Sequence, residues 1–292
     1  MPGGDIPGLY GKLPARGDFL SRRLDAEFIA AWDEWLQRAV RESREGLGER
    51  WLECFLSAPV WRFVLPAGMH SKPGWVGLMV PSVDRVGRYF PLTLAAPLHH
   101  ETIDLAATLA GAFGWLDALE ALALEALAPE LDFDAFDQRL AAIALPADVP
   151  AAASPSDDTV PLGSAQRTFH VWEFAPDAAD RVAKVLTEPP RELRAASALW
   201  LTRGGETLPP CVAACAGPIP GERFCALLDG RWAEHGWSVA SASSLILKSQ
   251  SESVMYCSPQ NRGVDLIHGQ GRGQEETGPL TAPPGSANGA GT

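Results

Sequence analysis

A short charged segment interrupts an apolar, strand-like stretch near position 80, and this pattern constrains the fold most strongly. Residues 75–80 and 88–95 are rich in aromatic and aliphatic residues, a composition typical of strands. The segment between them, PSVDRVG at residues 81–87, contains proline, serine, aspartate and glycine, which favour tight turns. The sequence therefore predicts an antiparallel hairpin with this charged segment at its tip.

A second charged segment lies near the amino terminus, just before a helical pattern. Residues 11–20, GKLPARGDFL, again place glycine, proline and both charge signs within hydrophobic sequence. From residue 24 to residue 44, aromatic and aliphatic side chains recur on one helical face and charged side chains on the other, which predicts an amphipathic helix. We expect Gly17 to allow a tight turn and Asp18 to pair with a nearby arginine.

The rest of the chain alternates between helical and strand patterns. Helices are predicted for residues 47–58, 101–128, 131–143, 177–186 and 221–229, and strands for residues 61–65, 169–174 and 196–202. Interleaved strands and helices with at least one hairpin predict an α+β fold in which sheet and helices form layers, as they do in α/β proteins. We expect a central, largely antiparallel sheet that is flanked by helices.

The domain organisation follows from where turn-forming residues accumulate. We expect one globular domain over residues 1–250, either undivided or made of two subdomains that join near residues 146–164, where proline, alanine and serine cluster. Residues 251–292 contain much glycine, proline, serine and glutamine and few apolar residues. This composition predicts a disordered tail.

Charge and cysteine content disfavour several function classes. The 292 residues include 24 Lys+Arg and 36 Asp+Glu, a net charge of −12, so nucleic acids and anionic lipid surfaces would be repelled overall. No signal peptide or membrane span is predicted, because acidic residues interrupt the apolar stretch at residues 105–127. Five cysteines without repeated spacing favour a reducing compartment. We therefore predict a cytoplasmic protein that neither binds nucleic acid nor inserts into a membrane.

Familiar catalytic motifs are missing from the sequence. It contains no phosphate loop, dinucleotide fingerprint, zinc-protease helix motif or nucleophile elbow. Cys211 and Cys215, with His170 or His235, form a conceivable zinc set, but their spacing is not that of a zinc knuckle. Buried free cysteines are the preferred interpretation. We predict no metal, no cofactor and no catalytic residue.

The two charged segments admit two interpretations. In the first, Asp84 accepts hydrogen bonds from turn amides and from an arginine and holds the hairpin in register. In the second, the arginines form a contact surface, since a planar guanidinium suits the carboxylate or phosphate of a partner. Both can hold together. The candidate partner-binding residues are Arg16, Asp18, Phe19, Ser82, Asp84, Arg85 and Arg88.

Four segments together resemble a known family. They are GLYGKLPARGDF at residues 8–19, WDEWL at 32–36, APVWRF at 58–63 and PSVDRVGRYFPL at 81–92. In order and combination they resemble the TagF (ImpM) family of type VI secretion system accessory proteins. SALW at residues 197–200 and GERFCALLDGRW at residues 221–232 resemble the later half of the family less specifically. The resemblance covers roughly the first 240 residues of the chain.

The resemblance implies a function that composition alone does not. It implies a non-enzymatic cytoplasmic regulator, a posttranslational repressor of type VI secretion that acts by binding a forkhead-associated-domain scaffold protein. Some relatives carry a phosphatase domain, but no phosphatase motif follows residue 237 here, and no catalytic residue is transferred. The alternatives are a structural or assembly subunit of the secretion apparatus, and a hydrolase that uses Ser82 with a histidine and Asp84.

Overall fold

The computed structural model describes residues 5–100, 103–147, 149, 169–176, 179–194 and 196–241. Within these residues, nine strands form a single sheet. The strands are β1 (Gly8–Gly11), β2 (Leu20–Arg22), β3 (Trp61–Leu65), β4 (Gly74–Val80), β5 (Leu92–Leu98), β6 (Phe169–Glu173), β7 (Ala198–Thr202), β8 (Cys211–Cys215) and β9 (Ser238–Ser241). Their order across the sheet is β2-β1-β5-β4-β3-β7-β8-β6-β9.

Eight helices accompany the sheet in the described part of the chain. They are α1 (Ala26–Leu47), α2 (Trp51–Ser57), α3 (Leu105–Gly111), α4 (Phe113–Glu125), α5 (Phe133–Ala142), α6 (Ala179–Thr187), α7 (Arg191–Arg194) and α8 (Gly221–Asp229), with a 3₁₀ turn at Gly48–Arg50. Asp25 caps α1 by accepting a hydrogen bond from the Glu27 amide, and Asp132 caps α5 in the same way. The predicted helices at the start of the chain, around residue 137 and at 221–229 are confirmed.

The sheet forms the middle of three layers. Alternate side chains of a strand point to opposite faces, so Trp61 and Phe63 of β3 pack in a core with α1, α2 and α8, while Val64 packs in a second core with α3, α4, α5 and α6. Of the eight strand pairs in the described part of the chain, seven are antiparallel, and only β6 and β9 pair in parallel. The predicted α+β class with a largely antiparallel, helix-flanked sheet is confirmed.

The predicted hairpin around residue 85 is present, with a longer loop than expected. β4 and β5 pair antiparallel from Gly74–Leu98 to Val80–Leu92. Residues 88–91, which the sequence pattern assigns to the second strand, belong instead to the connecting loop, where Val83 and Tyr89 form an isolated bridge. The amides of Val86 and Arg88 donate hydrogen bonds to the Asp84 carboxylate. These bonds fold the loop outside the β4–β5 ladder.

Elsewhere the structure corrects or extends the sequence prediction. The single helix expected over residues 101–128 is two helices that meet at Ala112 with a bend of 65°. β1, β2, β8 and β9 were not predicted as strands. The halves of the chain join edge to edge where β3 pairs with β7, Arg62 opposite Leu201. The predicted tail at 251–292 and most of the predicted connection at 146–164 lie outside the described residues.

None of the described helices is by itself long and apolar enough to cross a bilayer, and only the bent pair α3–α4 meets the length and composition requirement in combination.

Candidate functional site

Sheet topology brings the two charged segments together at one end of the sheet. β1 pairs antiparallel with β5, Tyr10 opposite Thr93, so the chain that leaves β1 lies beside the chain that enters β5. We call residues 12–19 the first charged loop and residues 81–91 the second charged loop. The Arg85 amide donates to the Arg16 carbonyl at 2.9 Å, which ties the loops directly. The proximity of the two loops is thus a consequence of strand order.

The carboxylate of Asp84 organises the second charged loop. Its Oδ1 accepts the amides of Val86 at 3.0 Å and Arg88 at 2.9 Å, and its Oδ2 accepts from the Arg88 guanidinium at 2.6 Å. These are the turn amides and the arginine that the first interpretation of the sequence requires. The role of Asp84 in holding the turn is therefore confirmed.

Lys12 completes the coordination of Asp84 from the first charged loop. Its Nζ donates to Asp84 Oδ2 at 2.7 Å, and both side chains are almost completely buried. Burial would raise the pKa of Asp84, but hydrogen bonds from Lys12, Arg88 and Val86 outweigh it and hold the pKa well below its usual range. Asp84 is therefore a carboxylate with every acceptor direction occupied.

Ser82 adds a second tie between the loops. Its hydroxyl donates to the Lys12 carbonyl at 2.7 Å, and the residue is only 3% exposed, as is Asp84. As partner-binding candidates, Ser82 and Asp84 thus differ from the others, because their side chains face the interior and hold the loops. The sequence offered no means of separating these buried members from the exposed ones.

The other five candidates are exposed on a common surface, which we call the loop-pair face. The residues of this face are Arg16, Asp18, Phe19, Arg85 and Arg88. Arg88 donates to the Gly17 carbonyl and lies 3.8 Å from the Asp18 carboxylate, so the expected pairing of Asp18 with an arginine is present as a loose, exposed contact. Val86, 65% exposed at the tip, adds an apolar group to this surface.

Phe19 lies on an aromatic base. Its ring stacks on Tyr10 with a centroid distance of 5.7 Å and meets Phe90 edge to face at 4.9 Å, yet it remains 45% exposed. Lys12 Nζ lies 4.8 Å from the same ring. An exposed ring held by its neighbours loses little side-chain entropy on binding, which is a property of interface anchors.

Two glycines shape the loops. Gly11 ends β1 with φ of +136°, and an added Cβ would lie 2.2 Å from the Pro91 carbonyl oxygen. Gly87 turns the second charged loop with φ of +84° and has open space around it. Both conformations favour glycine, but only Gly11 is also required by the close approach of the neighbouring chain.

Beside the loop-pair face, a cleft of about 440 Å³ opens between the first charged loop and the start of α5. We call it the arginine cleft, because Arg16, Arg22 and Arg85 line it. The Arg16 and Arg22 guanidinium carbons lie 5.4 Å and 5.2 Å from the centre of the Phe133 ring. The sequence prediction missed Lys12, Arg22 and Phe133.

Comparison with known proteins identifies the family. The model of the TagF N-terminal domain, described as type VI secretion system-associated, matches residues 8–143. The crystal structure of PA0076 from Pseudomonas aeruginosa PAO1 is similar, with 33% sequence identity and a TM-score of 0.57, over 77% of this chain and 94% of that chain. The chain belongs to the TagF family. No curated protein sequence matches it.

The TagF N-terminal domain contains the whole candidate site. Residues 8–143 include both charged loops, α1 and the Phe133 side chain of α5. The later strands β6 to β9 lie outside the matched region but extend the same sheet. The predicted resemblance to TagF proteins is therefore confirmed, and the site lies in the part of the chain that carries it.

The cysteines and histidines that the sequence offered as a conceivable zinc set make other contacts in this TagF chain. Cys211 and Cys215 are buried on β8, and burial raises the pKa of both thiols. His235 lies 3.1 Å from Asp229, and His170 stacks on a tryptophan ring. Among the described residues, no three His, Cys, Asp or Glu side chains are arranged to hold a metal ion.

Proposed function

We propose that this TagF chain is a non-enzymatic cytoplasmic regulator of type VI secretion, a posttranslational repressor that binds a forkhead-associated-domain scaffold protein. The loop-pair face forms the binding surface in this proposal. Binding withdraws the scaffold from assembly, so that regulation follows from occupancy and requires no chemical step. One observation carries the proposal: an exposed set of arginine and aromatic side chains projects from loops that are fixed by a buried ion pair.

The buried contacts support recognition by a preformed surface. Two hydrogen bonds of 2.7 Å join the loops, from Lys12 to the Asp84 carboxylate and from the Ser82 hydroxyl to the Lys12 carbonyl. Within the second charged loop, Arg88 donates to Asp84 at 2.6 Å. A surface that is already ordered pays less conformational entropy on binding. Arginine and aromatic groups are also the residue types that dominate interface energies.

The hydrolase alternative gains no support from the surroundings of Ser82. An activated serine needs a base within hydrogen-bonding distance of its hydroxyl and access to substrate. Here the hydroxyl donates to a backbone carbonyl, and the residue is buried. These contacts explain Ser82 as a structural tie between the charged loops.

Co-purification tests the proposed partner. The full chain is expected to retain the purified scaffold protein, whereas Arg85→Ala is expected to lose most of it. In cells with active type VI secretion, overproduction of the chain should lower export of secreted substrates, and Arg85→Ala should restore it. Failure to retain the scaffold would contradict the partner assignment. Stoichiometric presence of the chain in purified secretion assemblies would instead support the structural-subunit alternative.

A further inference from the structure

Three arginines converge on the arginine cleft, and the described residues offer them no ion-pair partner. Arg16, Arg22 and Arg85 line the cleft, and none of them forms a salt bridge within the described part of the chain. Other exposed arginines do pair, as Arg139 does with Glu125. In a chain with a net charge of −12, three unpaired guanidinium groups in one concavity are a local reversal of the overall charge.

The positions of these arginines are set by groups other than counter-ions. The guanidinium groups of Arg16 and Arg22 lie over the buried ring of Phe133. Arg85 is fixed through its amide, which donates to the Arg16 carbonyl, and its Nη2 lies 3.8 Å from an ideal Cβ position at Gly17. Arg22 also donates from Nη1 to the Ser21 carbonyl at 2.9 Å. Aromatic stacking and these backbone contacts leave the remaining guanidinium donors available to a ligand.

The charge count of the cleft indicates what it can neutralise. The carboxylates of Asp18 and Asp134 also line it, although neither forms an ion pair with the three arginines within the described residues. Three guanidinium groups against two carboxylates leave one positive charge without compensation. One carboxylate balances that charge, whereas a phosphate dianion would exceed it.

The sheet edge beside the cleft favours a peptide as the carrier of that carboxylate. β2 is the terminal strand on this side of the described sheet, and its residues Leu20 and Arg22 border the cleft. An extended segment can pair with a free strand edge. We propose that the arginine cleft binds a carboxylate side chain of an acidic peptide segment in the partner protein. The inference rests on the proposed function, since it gives the chemistry of the partner at the same surface.

A titration with a defined peptide tests this inference without the scaffold. The full chain, labelled with ¹⁵N, is titrated with acetyl-tetraglutamate amide, acetyl-tetraglutamine amide and inorganic phosphate in separate experiments at low salt. The glutamate peptide is expected to shift the amide signals of residues 16–22 and 84–88, and the glutamine peptide is expected to shift none of them. Added salt should weaken the glutamate effect, because exposed charges are screened.

Variants locate the binding site and test the guanidinium geometry. The double variant Arg16→Gln/Arg22→Gln should weaken binding of the glutamate peptide by about tenfold or more, and Arg85→Lys should weaken it measurably, because lysine lacks the planar fork. Arg194→Gln is the matched control, since Arg194 is exposed and forms no ion pair among the described residues. Thermal melting of each variant checks that it is folded.

Each outcome distinguishes this inference from the proposed function. Glutamate binding that is unchanged in the double variant, or tighter binding of phosphate at the same arginines, would overturn the inference. Scaffold binding that is lost in Arg85→Ala while the peptide binds nowhere would also overturn it, and would leave the proposed function intact. Peptide binding at the cleft with normal scaffold binding by the variants would overturn the inference that the partner supplies the acidic segment, and would also refute the proposed binding surface.

Discussion

Lys12 and Asp84, 72 residues apart in the chain, meet in a buried ion pair of 2.7 Å at the base of the two charged loops. A buried charge is costly unless it is paired and hydrogen-bonded, and the Asp84 carboxylate has two backbone amides and Arg88 as further partners. The pair therefore connects the shape of the loop-pair face to the stability of the fold.

Removal of the Asp84 carboxylate should destabilise the protein strongly. Asp84→Ala leaves the Lys12 ammonium buried without its partner, a change that typically costs about 3–5 kcal/mol of unfolding free energy. Urea unfolding followed by circular dichroism measures the loss. Asp18→Ala is the control, because the Asp18 side chain is fully exposed, and it should change the unfolding free energy by less than about 0.5 kcal/mol. Equal effects of the two variants would contradict the account.

The contribution of Asp84 to the unfolding free energy should also depend on pH, and it should decrease as the pH falls. Hydrogen bonds hold its pKa in the folded protein below the value of about 3.9 expected when unfolded. The stabilisation is therefore complete above about pH 5 and is lost as the pH falls through the folded pKa. The difference in unfolding free energy between the wild type and Asp84→Asn should stay constant above about pH 5 and narrow towards pH 3. A difference that widens on acidification would show the opposite sign.

Local patterns predicted the elements whose own residues determine them. The aromatic face of α1, the cap at Asp25 and the breakers around β4 are visible in single stretches of sequence. β1 and β8 are not, because the two glycines of β1 and the two alanines of β8 have weak strand preference by themselves. Their strand conformation comes from pairing with β5 and β7, which local periodicity does not contain.

The candidate site was predictable only in part, for the same reason. Asp84 shows its role locally, since its amide partners lie two and four residues away. The sequence around Lys12, by contrast, does not show its role, because only the strand order places Lys12 beside Asp84. Phe133 joins the arginine cleft through packing of α5 against the first charged loop, and the only available signal was its position just after the helix cap at Asp132.

The two loop glycines should differ in their tolerance of a methyl group. Gly87→Ala meets open space, so its cost is the left-handed backbone alone, roughly 1–2 kcal/mol. Gly11→Ala adds a clash with the Pro91 carbonyl oxygen and should cost clearly more, because the β1–β5 pairing has to shift. Melting temperatures of both variants test the order. A larger fall in melting temperature for Gly87→Ala than for Gly11→Ala would contradict the open space around Gly87.

The buried Arg62 should behave differently from the Lys12–Asp84 pair. Arg62 on β3 donates to Glu120 at 2.7 Å and to Asp117 at 2.7 Å, but its buried Nη1 has no partner among the described residues. Both carboxylates retain contact with solvent, so they can be rehydrated when the arginine is removed. Arg62→Met, which keeps much of the volume, should therefore change the unfolding free energy by less than about 1.5 kcal/mol. A loss as large as that of Asp84→Ala would contradict this reasoning.

Partner binding by the loop-pair face is best tested by calorimetric titration of the forkhead-associated-domain scaffold with Arg85→Ala. Arg85 is exposed, and its side chain forms no ion pair in the described part of the chain, so its removal should leave the melting temperature unchanged. We expect wild-type affinity for Arg194→Ala and a loss of about tenfold or more for Arg85→Ala. Equal affinity of Arg85→Ala and the wild type would show that the loop-pair face does not bind the scaffold.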